Sequence, residues 1–319
     1  MLITRGSAST GPRDRVAFQG RPGAFSEEAV LAWFTGGCEP VPEPDFPAVA
    51  LAVEAGRVAW GVLPVENTIA GCVTGTVDVL ATVPLSVVGE VMVPIRHCVL
   101  GLPGARLEDL TRVSSHPVAL AQCTDFLRSR PRLEAVAVQD TAGAAEAVAE
   151  AGEPTHGAIA SRGAGERYGL DVLVEDVQDR PDNQTRFLVV RAAMPGRTAE
   201  SPVAAGRRPQ PGQDGESPAS ASAADPPESG PIKLVLLVET PNAPGALLNV
   251  LRPLAEQGFN LSNLVARPVG EPWTYRFFLE FEAPARDAAL AAALAEVGRG
   301  ARTMRVLGSF SAAPGGGAL

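Results

Sequence analysis

At 319 residues the chain is long enough for two domains, and 45% apolar with 20% charged residues is an ordinary globular balance. A net charge of −9, with no Lys/Arg cluster interleaved with aromatics, argues against nucleic acid as a partner but leaves small anionic ligands open. No stretch has the apolar length of a signal peptide or a membrane span, so a cytoplasmic protein with no membrane partner is expected.

The first element is the strand "RVAFQ", which runs into Gly20 and Gly23 and then a helix, "SEEAVLAWF". Ser26 reads as the cap of that helix, and Glu27 and Glu28 suit its positive end. A second helix is expected in "FPAVALAVEAG" and a second strand in "RVAWGVL". The apolar run then continues into "PVENTIAGCVTGT", where Glu66, Asn67 and Thr68 stand at the strand exit. Next come the strand "LSVVGEVMV" and a possible crossing between lobes at residues 91–94.

In "VSSHPVALAQCTDFLRS" a single helix is expected after Ser115 and His116, with Pro117 at its first position. His116 reads either as a base or donor toward a ligand or as a structural residue at a helix start. The strands "LEAVAVQ" and "HGAIA" flank the helix "AGAAEAVAEAG", and Thr141 sits at the entry to that helix. The last cluster is "DNQTRFLVV", with Asn183, Thr185, Arg186 and Phe187 at the mouth of a strand. Strand alternation puts Thr185 and Arg186 on opposite faces, so they have different tasks. Arg186 is suited either to a substrate carboxylate or to an internal acid such as Glu66. Polar clusters at successive strand–helix junctions describe a cleft for a small anion. Cys38, Cys72, Cys98 and Cys123 lack CxxC spacing, so no disulfide framework and no metal site is expected.

Residues 192–230 are rich in Pro, Ala and Ser and read as a disordered linker. They separate a body over residues 15–191, with a second lobe at about 94–175, from a tail over residues 231–309. The tail reads β-α-β-β-α-β, the ferredoxin-like order. Its sheet should leave one face open for a partner, and Phe277, Phe278, Leu279 and Phe281 are too many large groups for one face. Pairing with a second tail, hence a homodimer or homotetramer, is the expectation.

The stretches "VAFQGRPGAFSEEA", "GVLPVENTIAGCVTGTVDVL", "SSHPVALAQC", "DTAGAAEAVAE", "GAIASRGAGERYGL" and "VQDRPDNQTRFLVV" resemble, in order, the prephenate dehydratases. The tail resembles the ACT regulatory domain, chiefly through "PGALLNVLRPLAEQGFNLSNLVARP". The resemblance implies an α/β, two-lobed, periplasmic-binding-protein-like body with its active site in the interlobe cleft. It implies conversion of prephenate to phenylpyruvate, water and CO2 without a cofactor. By position it makes Thr185, Glu66 and Asn67 catalytic, with Ser26, Thr68, Ser115, His116, Thr141, Asn183, Arg186 and Phe187 around the substrate. In the tail it assigns Asn242, Pro244, Gly245, Ala246, Leu247 and Arg267 to an aromatic amino-acid effector.

Two departures stand out. Ala24 replaces a threonine of the family's Gly-Thr-Phe-Ser, and Val265 and Ala266 replace the Glu-Ser of an effector-associated Glu-Ser-Arg-Pro. The tail is therefore expected to bind phenylalanine weakly or to prefer another effector. Other readings of the cleft are an arogenate dehydratase, a decarboxylase that keeps the ring hydroxyl, and a non-catalytic two-lobed sensor.

Overall fold

The computed structural model describes residues 14–193, 231–270, 272–284 and 288–311. The linker expected from composition lies almost wholly outside the described residues. The chain opens with β1 (Arg15–Gln19), α1 (Phe25–Trp33), β2 (Glu39–Glu43), α2 (Phe46–Glu54), β3 (Trp60–Asn67), β4 (Gly71–Cys72), α3 (Thr74–Thr82) and β5 (Leu85–Pro94). It crosses to β6 (Cys98–Gly101), β7 (Arg112–Ser115), α4 (Pro117–Ala121), α5 (Thr124–Arg128), β8 (Glu134–Ala137), α6 (Thr141–Ala151), β9 (His156–Ala160), α7 (Arg162–Tyr168) and β10 (Asp171–Val174). It then returns through β11 (Gln184–Ala192).

The first lobe is built on a sheet ordered β2-β1-β3-β11-β5, with β4 beside β3; the second is ordered β10-β6-β9-β7-β8. Both sheets are mixed: β1 runs parallel to β2 and β3, whereas β11 is antiparallel to β3 and β5. The returning strand thus lies in the middle of the first sheet and holds the two ends of the body together. Strand β2, "EPVPE", carries two prolines that lack ladder donors, and it lies at the edge where that loss is tolerated. Helix α6 has an Asp140 cap, whose carboxylate accepts from the Gly143 amide, and stops at left-handed Gly152.

The tail consists of β12 (Pro231–Glu239), α8 (Ala246–Glu256), β13 (Asn260–Pro268), β14 (Tyr275–Pro284), α9 (Ala288–Gly300) and β15 (Thr303–Ser311). Its antiparallel sheet is ordered β13-β14-β12-β15. Phe277, Leu279 and Phe281 pack toward α8 and α9 with Val250, Leu254 and Leu294. Phe278, Val235, Leu237 and Phe310 pack from the opposite face onto Leu80, Leu85, Val87 and Leu188 of the first lobe.

The face expected to be open for a second tail is therefore covered by the body of the same chain. Two-sided burial was legible in the strand, but the identity of the cover was not. A β-carbon on Gly308 would stand 1.9 Å from the Val87 carbonyl oxygen, so only glycine lets β15 lie this close to β5.

Candidate active site

A cavity of about 500 Å³ separates the two lobes. Its lining includes Ser26, Asn67, Thr185 and Phe187 from the first lobe and His116, Gln122 and Thr141 from the second. Gly23 joins the lobes at one side. Its φ is +88°, and a β-carbon there would fall 2.6 Å from Ala164 Cα. Its carbonyl accepts from Ser161 Oγ at 2.7 Å. Arg21 of the first lobe bridges to Glu146 on α6.

The strand pair β3/β11 sets which groups enter the cavity. Thr185 lies opposite Asn67, and Arg186 opposite Glu66. Alternation turns Thr185 and Asn67 inward and sends Arg186 and Glu66 to the reverse face. A register shift between Arg186 and Phe187 gives β3 one extra residue, so that Pro64 and Asn67 both line the cavity.

Hydrogen bonds fix the polarity of this wall. Asn67 Oδ1 accepts from the backbone amides of Ile69 at 2.9 Å and Ala70 at 2.8 Å. Its Nδ2 must then be the donor, to Asn183 Oδ1 at 2.8 Å and Thr185 Oγ1 at 3.0 Å. Asn183 Nδ2 in turn donates to Gln122 Oε1 at 2.9 Å. The same oxygen lies 3.1 Å from His97 Nε2, which must therefore carry the ring proton. A continuous chain, His97–Gln122–Asn183–Asn67–Thr185, crosses both lobes. Thr185 is an acceptor within it, so its own hydroxyl proton is left to donate into the cavity.

His97 is buried, and its Nδ1 has no hydrogen-bond partner. Burial pushes the imidazole below its ordinary pKa, with only the Gln122 hydrogen bond opposing. Local sequence reading singled out neither His97 nor its link to Gln122. The one signal available was a histidine three residues beyond the long strand β5.

The single helix expected over residues 117–129 is two helices. Asp179 inserts at the break, its carboxylate accepting from the amides of Thr124 at 3.0 Å and Asp125 at 2.9 Å. The interruption leaves Gln122 at the end of α4, where its side chain meets Asn183.

Helix N-termini ring the cavity. Asp45 and Asp140 cap α2 and α6 with their carboxylates. The N-cap of α1 is Ala24 and that of α3 is Val73, neither with a side-chain cap. Ser26, expected to cap α1, instead lies inside its first turn and is buried against the cavity. The Ala24 departure thus leaves the α1 amides without a side-chain acceptor, free to face an anion.

Several expected site residues lie elsewhere. Ser115 is buried and donates to the Ile159 carbonyl at 2.5 Å, bracing β7 against β9. Thr68 accepts from the Gln184 amide at 3.0 Å and ties β3 to β11 outside the cavity lining. Glu66 and Arg186, expected in the site, pair with each other at 3.0 Å on the reverse face. Arg186 also meets Glu280 of the tail at 2.9 and 2.5 Å and Glu90 at 3.1 Å.

Burial would lower the guanidinium's pKa, but Glu280, Glu90 and Glu66 reverse the effect and raise it. In the tail, Arg267 binds Asp78 of α3 through two hydrogen bonds of 2.7 and 2.6 Å, so it is a docking group here rather than an open effector contact. Val265 packs on the apolar cluster shared with the body. Asn242, Pro244 and Gly245 are exposed before α8, which starts at Ala246; Gly245, with φ +76°, is its N-cap. Ala246 is buried, and Leu247 is partly buried against the tail core. Among the described residues, no group of three or more His, Cys, Asp or Glu side chains is placed to hold a metal ion. No helix among them is long and apolar enough to cross a membrane.

Comparison with known proteins matches residues 16–195 to the family described as Prephenate dehydratase and residues 234–299 to the ACT domain. Arogenate dehydratase/prephenate dehydratase 1, chloroplastic, from Arabidopsis thaliana is 34% identical, over 93% of this chain and 71% of the relative. Among solved structures, prephenate dehydratase in complex with L-Phe from Arthrobacter aurescens is 30% identical, with a TM-score of 0.76 over 93% of this chain and 90% of that one. A structure described as GqqA, a novel type of quorum quenching acylases, is 32% identical, with a TM-score of 0.78 over 94% of this chain and 98% of that one.

Proposed function

Because the chain belongs to the prephenate dehydratase family and ends in an ACT domain, we propose that its interlobe cavity converts prephenate to phenylpyruvate, water and CO2. Dehydratase chemistry on prephenate- or arogenate-like acids is the activity of this enzyme domain. The observation that carries the finer reading is the polarity of the chain ending at Thr185. Asn67 donates to Thr185 Oγ1, so the hydroxyl proton points away from the protein network.

In prephenate the bond to the ring carboxylate breaks and its electron pair enters the ring. The ring hydroxyl leaves from the opposite position with its bonding pair, and the departing hydroxide becomes water with a proton drawn from the solvent. Thr185 is placed to hydrogen-bond that oxygen as negative charge grows on it. A preorganised donor of this kind contributes about 3–4 kcal/mol in a site closed to water. The uncapped amides of α1 and α3 suit the substrate's carboxylates without a cation in the cavity lining.

Prephenate is preferred to arogenate because the two lining carboxylates, Asp45 and Asp140, are engaged as helix caps. Neither is free of a backbone partner to take the ammonium group that distinguishes arogenate. Rates on the two acids, measured side by side, test this: kcat/KM at least about tenfold higher on prephenate is expected. Equal or reversed rates would replace the reading with an arogenate dehydratase. An N-acyl amide belongs in the same assay, since one solved relative is described as an acylase.

The neutral donor set also predicts that treatment with a chelator followed by dialysis leaves turnover unchanged. Lost turnover restored by one metal ion would overturn that. For the tail, the proposed effector is an aromatic amino acid and the proposed assembly a homo-oligomer. Calorimetric titration with phenylalanine, tyrosine and tryptophan and sedimentation of the full chain test these two points.

A further inference from the structure

We propose that Glu280, on the central strand β14 of the tail, is a positioning residue for Thr185 in the dehydratase site. The proposal rests on the functional reading above and extends it to a residue outside the catalytic body. Thr185 and Arg186 are neighbours on β11 and point to opposite faces of the same sheet. Whatever holds the Arg186 side chain therefore fixes the rotation of the strand that aims the Thr185 hydroxyl. The ladder is least able to do this alone, because the register between β11 and β3 shifts immediately after Arg186.

The guanidinium is held by a two-pronged contact with Glu280, Nη1 to Oε1 at 2.9 Å and Nη2 to Oε2 at 2.5 Å. Both side chains are almost inaccessible, at 8% and 1%. Planar pairing of this type constrains orientation as well as distance. A second crossed pair backs the first: Lys233 of β12 reaches both oxygens of Glu90 on β5, at 2.8 and 2.9 Å. The four buried groups are two cations and two carboxylates, and each cation is matched by an acid from the other unit. Seating adds these cross-contacts to the Arg186–Glu90 pair at 3.1 Å that the body holds by itself, so the guanidinium is pinned by acids from both units.

Seating is fixed independently by the Arg267–Asp78 pair, by Val265 in the shared apolar cluster, and by the Gly308 approach to Val87. Thr185 is thus held from both sides of one strand. Asn67 sets the hydroxyl from the cavity side, and Glu280 sets the backbone from the tail side. A neutral amide at position 280 would keep the shape but turn an N–H group toward the guanidinium in place of one acceptor. Arg186 would then move toward Glu90 and Glu66, taking the strand at Thr185 with it.

The test is Glu280→Gln in the full chain, assayed alone and combined with Thr185→Ala. E280Q is expected to lower kcat at least about tenfold with KM within about twofold, the signature of a transition-state contact rather than of binding. In the T185A background the same change should have no further effect on kcat. Equal losses in both backgrounds, or wild-type kcat in folded E280Q, would overturn the proposal.

Glu280→Asp keeps the charge with a shorter reach and is expected to restore part of the rate. If E280Q does not fold, E280D decides alone, and wild-type kcat in it counts against the idea. A crystal structure of E280Q gives a readout that needs no turnover, with Thr185 Oγ1 expected to leave Asn67 Nδ2. An inactive wild-type protein would sink the dehydratase reading. The positioning claim would then stand or fall on whether that 3.0 Å contact persists in E280Q.

Discussion

At the scale of single residues, neighbours in sequence do unlike work because a strand shows them to opposite faces. Asn67 orients Thr185, whereas Glu66, one residue earlier, leaves the cavity to meet Arg186. Replacing Thr185 by alanine is expected to lower kcat about 100-fold, near 3 kcal/mol, with a smaller change in KM. Asn67→Ala should follow within about tenfold of that loss, because it frees the hydroxyl to rotate. Glu66→Gln should cost about tenfold at most. A loss for E66Q as large as that for T185A would return Glu66 to the cavity in the working enzyme.

His97 makes a separate prediction about pH. Its folded pKa lies below the ordinary value of about 6.5 that applies in the unfolded chain. As pH falls, the unfolded chain takes up this proton first. His97 therefore costs nothing above about pH 6.5 and destabilises the fold as pH drops below it, toward the folded-state value. His156, also held low, chiefly by burial with Arg112 adding to it, shifts stability in the same direction. Urea unfolding at about pH 8 and about pH 5.5 should show the loss, and H97Q should flatten it. An unchanged slope in H97Q would mean that the ring titrates normally in the fold.

Elements are placed by their ends. The segment after His116 has enough helical residues for one continuous helix, yet Asp179 supplies a cap in its middle and divides it. The division leaves Gln122 at a helix end, where it joins the amide chain. Removing that cap with Asp179→Ala is expected to cost about 1–2 kcal/mol, the upper range for a lost N-cap. Hydrogen exchange should quicken at Thr124 and Asp125, and kcat should fall as Gln122 loses its setting. Normal exchange at those two amides would show that α5 holds its break unaided. Strand β2 is placed by its position instead: it carries two prolines, and an edge strand needs fewer donors.

At the scale of the whole molecule the decisive feature is the seating of the tail sheet on β5 and α3. Burial of Glu90, the largest influence on it, would raise its pKa. Lys233 and Arg186 outweigh that and hold the carboxyl low. Its contribution to stability is therefore present above the ordinary glutamate value, about 4.3, and is lost as pH falls through the folded value. Gly308→Val is the direct test of seating, since its side chain must displace the Val87 backbone. We expect a catalytic body that stays folded, faster proteolysis between body and tail, and a lower kcat. Wild-type scattering and proteolysis for G308V would show that the two units need no such close contact.

The sequence by itself determined the family, the alternating α/β body, the βαββαβ tail and the residues at the strand exits. These follow from local pattern: apolar periodicity, capping residues, and motifs whose order along the chain is specific. It also implied that both faces of the tail strand with Phe277 and Phe278 are buried. Tertiary structure alone decided which polar residues share the cavity. Partnership there depends on the β3/β11 register and its bulge, and one residue of register exchanges inside for outside. It likewise decided that Arg186 and Arg267 answer acids rather than an open ligand site, because Glu280 lies 94 residues and Asp78 lies 189 residues away along the chain. Contacts over such separations leave no periodic trace in either segment. They exist only once the hydrophobic faces of tail and body have closed on each other.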